Sequence, residues 1–197
     1  AEHKDLNDTE QTFWVERKPT IGTTALVSGS EDNILALTGG EVVDTVAYTD
    51  LKPSTTYKLD GTIMYTNTAG AAVSTGITST AEFTTPAGEG YVSGTTTVSF
   101  TISASDAARF AGQHLVVFER LYLGTDLVAV HEDKDDEDQT FEVERKPSIG
   151  TTAKVEGADD NVLSLEGGTV TDTVAYTNLK AGTQYRISGE IMHVAAD

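Results

Sequence analysis

The chain has 197 residues, with 13 lysines and arginines against 31 aspartates and glutamates, a formal charge of −18. That acidity excludes nucleic-acid binding, which needs basic patches to neutralise phosphates. No apolar run approaches the roughly 20 residues of a membrane helix, no secretory leader is expected at the start, and the absence of cysteine excludes disulfides, thiolate metal sites and cysteine nucleophiles together.

In chain order, short β-branched and aromatic runs alternate with Gly, Asn, Asp and Pro clusters. They predict strands over 21–27, 42–48, 56–65, 78–84, 95–102, 114–123, 127–131 and 139–144, with one helical turn near 105–110. The expectation is an all-β fold, an immunoglobulin-like β-sandwich, with a barrel as the alternative.

The chain also repeats itself. Gln11-Thr12-Phe13 recurs as Gln139-Thr140-Phe141, Ile21-Gly22-Thr23-Thr24-Ala25 as Ile149-Gly150-Thr151-Thr152-Ala153, and Asp44-Thr45-Val46-Ala47-Tyr48 as Asp172-Thr173-Val174-Ala175-Tyr176. Sliding by 128 residues leaves 69 overlapping positions, of which 39 are identical without a gap. A unit of about 128 residues is the length of an ordinary domain. Residues 1–17 then read as the C-terminal strand of a preceding repeat, 18–145 as a complete repeat, and 146–197 as the truncated N-terminal part of the following one. The junctions Glu16-Arg17-Lys18-Pro19 and Glu144-Arg145-Lys146-Pro147 hold one proline each and no Gly/Ser tract, so units are expected to join closely.

Side chains alternate across a strand, so the apolar content of each run identifies its inward face. Four polar residues break the pattern. Thr23 lies with Ile21, Ala25 and Val27; Asp44 with Val42, Val46 and Tyr48; Glu119 with Leu115, Val117, Leu121 and Leu123; Gln139 with Phe141 and Val143. Burying an unpaired polar group costs roughly 1–3 kcal/mol, and a lone carboxylate far more, so the four are expected to converge. His131, in register with Leu127 and Ala129, can close the group from the rim. The adjacent Thr24 falls on the other face, with Gly22 and Ser28.

Two readings fit such a cluster. One is a buried hydrogen-bond network without chemistry. In the other, two carboxyls in low dielectric cannot both ionise, so one keeps its proton and donates it toward the Gln139 carbonyl. Thr23 then supplies a hydroxyl nucleophile and His131 a base. Attack on the amide carbon with loss of ammonia leaves an ester between Thr23 and Gln139.

The Ile-Gly-Thr-Thr-Ala start, the Asp-Thr-Val-Ala-Tyr strand, Val116-Val117-Phe118-Glu119, and His131 followed by Gln139-Thr140 resemble the VaFE-type, Thr–Gln ester-bond domains of Gram-positive surface adhesins. The resemblance covers residues 18–145 and both partial copies. It implies Thr23 and Gln139 as the bonded pair, Asp44 and Glu119 as the acidic pair, and His131 as the proton-transfer residue. It further implies immunoglobulin-like units stacked into an extracellular stalk on a cell wall, with adjacent repeats as partners and the anchor, signal peptide and host-ligand site outside this segment. Crosslinking of this kind is a single self-directed turnover, so the chain is not expected to be an enzyme, and it needs no cofactor or metal. The alternative is a ligand-binding adhesin module in which the polar cluster is only a network. A hydrolase needs a cleft, whereas these residues face the core. A Lys-to-Asn isopeptide link lacks a lysine on the apolar face of the first strand, since Lys18 precedes Pro19 at the junction.

In the partial copies, His3 and Gln11 lack a partner threonine, and Thr151 and Asp172 lack counterparts of Glu119 and Gln139. One bond per molecule is therefore expected. The run 132–138 carries six acids and one lysine. It lacks the glycine of an EF-hand loop and reads as a solvated acidic loop rather than a calcium site. His114 and His193 read as structural, and Trp14 takes the wet face where the next copy has Glu142.

Overall fold

The computed structural model describes residues 4, 10 and 15–193. The chain divides into two units, Ala1–Glu144 and Arg145–Asp197. In the first unit, β1 (Thr20–Val27), β3 (Gly40–Leu51) and β6 (Val92–Ile102) form an antiparallel three-stranded sheet in the order β1-β3-β6. β2 (Ile34–Leu35), β4 (Thr56–Thr66), β5 (Ala72–Thr84), β7 (His114–Leu123), β8 (Asp126–His131) and β9 (Thr140–Val143) form a second sheet.

β7 organises the second sheet. One edge pairs along its length with β4, and β4 pairs in turn with β5. The other edge is shared: β9 takes the His114–Val116 half and β8 the Glu119–Leu123 half. β2 adds to β9 in parallel, Ile34 opposite Glu142 and Leu35 opposite Val143.

Period-two burial sets the packing. Val42, Val46, Tyr48, Val98 and Phe100 from the first sheet meet Leu59, Ile63, Leu115, Val117, Leu121, Phe141 and Val143 from the second in one buried cluster. Each such side chain contributes roughly 1.5–3 kcal/mol on burial. α1 (Ala104–Arg109) links β6 to β7 and tucks Ala107 into this core. Its first turn is capped by Ser103 Oγ, which accepts from the Asp106 amide at 3.1 Å, satisfying one of the amides that a helix start leaves open.

Three details depart from the sequence pattern. β2 was not expected; it is two residues long and finds its partner more than 100 residues away, beyond the reach of local periodicity. The last strand begins at Thr140 rather than Gln139, which instead ends a 3-10 turn, Glu137–Gln139, closed by Asp136. Leu127 is half-exposed and off the face of Ala129, because a bulge in β8 inserts Val128 between them.

In the second unit, β10 (Ser148–Val155) pairs antiparallel with β11 (Val170–Thr177). The described residues of this unit contain no opposing sheet, and Ile149, Tyr176 and Ile187 are exposed. Among the described residues, no helix is long and apolar enough to cross a membrane.

Candidate functional site

Of the six buried polar side chains among the described residues, Thr75 and Thr85 bond to backbone carbonyls; the other four are Thr23, Asp44, Glu119 and Gln139, the last three fully buried. Strand register brings them together from both sheets. On the first sheet, Thr23 faces Val46 and Ala25 faces Asp44, so Thr23 and Asp44 are diagonal neighbours on one face. On the second, Glu119 pairs directly with His131 across β7 and β8. β1 packs against β8 and against the 3-10 turn that ends in Gln139. Thr24 is exposed on the opposite face.

The charges in this cluster are shaped by burial. Desolvation raises Glu119 to about 9; the neighbouring Asp44 carboxylate adds to that shift, and Asp60 contributes further. Desolvation also raises Asp44, to about 6, against the opposing influence of Glu119, the Thr23 hydroxyl, His131 and the Thr24 backbone. The direction is clear for the pair. Two buried carboxyls side by side do not both ionise, so at neutral pH the pair retains a proton.

These groups lie within electrostatic reach of one another without hydrogen bonds of ordinary geometry. Thr23 Oγ1, both carboxyl oxygens of Asp44 and of Glu119, His131 Nδ1 and both amide atoms of Gln139 are buried without a hydrogen-bond partner. A finished hydrogen-bond network would satisfy these atoms, and leaving each one open costs roughly 1–3 kcal/mol.

The family model for the T-Q ester bond containing domain matches residues 19–143 and again residues 147–197. The chain belongs to this family. Within the T-Q ester bond domain of residues 19–143, Gln139 is fully buried, and of the three buried threonines, Thr23, Thr75 and Thr85, Thr75 and Thr85 bond to backbone carbonyls. Among solved structures, the chain is similar to a Mobiluncus mulieris adhesin described as containing intramolecular disulfide, isopeptide and ester bond cross-links, in two crystal forms. Identity is 15% and 16%, coverage 82% and 81% of this chain and 75% and 74% of that one, and the TM-scores are 0.49 and 0.46. A glycoside hydrolase family 2 β-glucuronidase matches at 10% identity over 67% of this chain and 13% of its own, with a TM-score of 0.39. No curated protein matches.

Two residues of this T-Q domain escaped the sequence reading. Asp136 was grouped with a solvated acidic run, yet its Oδ2 lies 3.0 Å from His131 Nε2 while its Oδ1 accepts from the Asp138 amide at 2.9 Å. With Nε2–H given to Asp136, Nδ1 of His131 is the nitrogen left to take a proton, and it is the buried, unpartnered one. The signal was present in part. Asp is a favoured cap residue, but every aspartate of this run offers the same side chain. Gly61 pairs with Glu119 across β4 and β7, and a Cβ there would collide with Glu119 Oε1 and Phe100 Cζ. The glutamate carboxyl occupies the space that a side chain at 61 would take.

Other candidates fall elsewhere. In the acidic run, Lys134 pairs with Asp135 and Glu132 with Arg120; no metal-binding group of His, Asp or Glu occurs among the described residues. His114 and His193 are exposed. Thr151 and Asp172 occupy the same register in β10 and β11 as Thr23 and Asp44 but are exposed. His3, Gln11 and Trp14 lie outside the described residues.

Proposed function

We propose that the first unit crosslinks itself through an ester between Thr23 Oγ1 and the side-chain carbonyl carbon of Gln139. His131 Nδ1 takes the Thr23 hydroxyl proton, oriented by Asp136 through Nε2. The oxygen attacks Cδ of Gln139, and the protonated Glu119 donates to the developing oxyanion, with the Asp44 carboxylate holding the pair in its one-proton state. Collapse breaks the C–N bond, the proton held by His131 passes to the leaving nitrogen, and ammonia departs. One hydroxyl and one primary amide become one ester and one ammonia, so atoms balance without a cofactor. The machinery is used once, which separates it from an enzyme. Burial of Thr23 and Gln139 shields the ester from hydrolysis.

The function that follows is mechanical. In our reading the unit is an immunoglobulin-like repeat in the stalk of an extracellular adhesin anchored to the wall of a Gram-positive bacterium, in tandem with neighbours like it. Support comes from the sequence repeat and from the sheet topology. β1 and β9 belong to different sheets and share no ladder, so the ester would tie the entry strand to the exit strand across the core and carry tension past everything between.

The observation that carries this reading is the buried, unpartnered set Thr23, Asp44, Glu119 and Gln139. It also disfavours a ligand-binding module with a passive network, which would satisfy those atoms. Intact mass tests it. The folded chain should be lighter than its sequence by one ammonia, Thr23→Ala should restore the full mass, and hydroxylamine should cleave the link as an ester. A full-mass wild-type chain would end the reading.

A further inference from the structure

Asn33 lies outside the reacting cluster, yet one carboxamide there grips both segments that carry the reacting residues. Its Oδ1 accepts from the Val27 amide at 2.7 Å and its Nδ2 donates to the Ala25 carbonyl at 3.1 Å, both on β1. The same Nδ2 donates to the carbonyl of Thr140 at 3.0 Å. Ala25 is two residues from Thr23, and Thr140 follows Gln139. The Asn33 backbone continues the grip: its carbonyl accepts from the Glu142 amide at 3.2 Å, and the next two residues form β2 alongside β9.

The second unit separates the two halves of this arrangement. Asn161, at the equivalent position, accepts from the Val155 amide at 2.7 Å and donates to the Ala153 carbonyl at 3.2 Å. Both asparagines sit in the left-handed region, with φ of 55° and 60°, a conformation asparagine tolerates better than most residues. The hold on the first strand is therefore local and forms without a last strand beside it. Only the bond to Thr140 depends on that strand.

We propose that Asn33 is a positioning residue for crosslinking: a latch, preformed on β1, that captures the Thr140 carbonyl and thereby sets Gln139 against Thr23. This rests on the crosslink reading above. Asn33 touches none of the reacting atoms and moves no proton. Its contribution is to shorten the search by which the amide carbon meets the hydroxyl, and small displacements in such a pairing cost about 10- to 100-fold in rate.

Two substitutions distinguish a latch from a turn residue. Asn33→Gly keeps access to positive φ but removes the side chain. Asn33→Asp keeps the acceptor for the Val27 amide and tolerates the same backbone, but has no donor for the Ala25 or Thr140 carbonyl. The readout is intact mass against time after a pulse of cell-free synthesis, with folding followed separately by near-ultraviolet circular dichroism. Both variants should fold but lose ammonia about 10- to 100-fold more slowly than wild type, and Asn33→Gly should leave the shape of the pH–rate profile unchanged. Asn161→Asp, the matching change in the second unit, should leave the rate at the wild-type value. If wild type loses ammonia and both Asn33 variants keep pace with it, the latch is refuted and the crosslink reading stands. If the wild-type chain keeps its full mass, the crosslink reading fails and the latch falls with it.

Discussion

The strand pairs β1–β3 and β10–β11 are the same structure twice. Thr23 faces Val46 and Ala25 faces Asp44 in one; Thr151 faces Val174 and Ala153 faces Asp172 in the other. Small details recur: Asp50 and Asn178 share a φ of 56°, and Tyr57 and Tyr185 each accept a backbone amide five residues earlier, at 3.0 and 2.9 Å. The surroundings differ. Thr23 and Asp44 are buried under a second sheet, whereas Thr151 and Asp172 are exposed. Strand register is thus a local property, written into the β-branched runs and the turns between them. A reactive site requires the opposite sheet, because low dielectric and fixed neighbours make a carboxyl keep its proton.

The comparison can be broken most forcefully by removing the proposed bond from the buried copy. Positions 23 and 139 enclose a long loop, and the chain-entropy model gives roughly 4–5 kcal/mol for closing one of that size. Thr23→Ala should lower the melting temperature of the first unit by roughly 15–20 °C, read by calorimetry; a shift of only a few degrees would show that no covalent link was lost.

Next comes the pH response of that uncrosslinked variant. Glu119 and Asp44 both have folded-state pKa values above their ordinary ones. The sign follows: their contribution to stability is full below about pH 4, fades as pH rises through about 6 for Asp44, and is lost through about 9 for Glu119. Thr23→Ala should therefore unfold at progressively lower urea concentration from pH 4 to pH 9. Adding Glu119→Gln should flatten the upper half of that decline.

A smaller effect is expected from Gly61→Ala. The added methyl group meets the Glu119 carboxyl and Phe100, and overpacking of this kind costs about 1–3 kcal/mol. The variant should melt lower and lose ammonia more slowly, since the Glu119 carboxyl must leave its present position; unchanged mass kinetics would separate Gly61 from the site. Smallest of all is Thr151→Ala, in the exposed copy. It should leave the mass deficit at one ammonia and change stability by under about 0.5 kcal/mol. A change in mass would mean that the second copy also reacts.

Much of the site was readable from alternation. The inward faces of Thr23, Asp44 and Glu119 follow from unbroken strands, and β7 runs over the predicted residues, His114–Leu123. Gln139 points inward as expected but from a 3-10 turn, so the face argument reached the right side chain through the wrong element. Leu127 was misplaced because one bulge shifts the period. Asp136 was hidden among acids of identical type, and nothing local singles out the one that meets His131. Gly61 and Asn33 carry no chemical signal in sequence. Their importance lies in what stands opposite, on β7 and β9.

By itself the sequence determined the repeat, the all-β character, the register of its local strand pairs and the identity of the polar residues on apolar faces, because each depends on near neighbours and on two-residue periodicity. Tertiary structure decided which copy of those residues is buried, which nitrogen of His131 is free, and that Thr23 and Gln139 share one dry interior. The His131 nitrogen is set by Asp136 in the turn that follows; the other outcomes depend on segments more than 100 residues apart in sequence, as β2 and β9 or Asn33 and Thr140 are, and burial, unlike register, exists only once the second sheet has closed over the first.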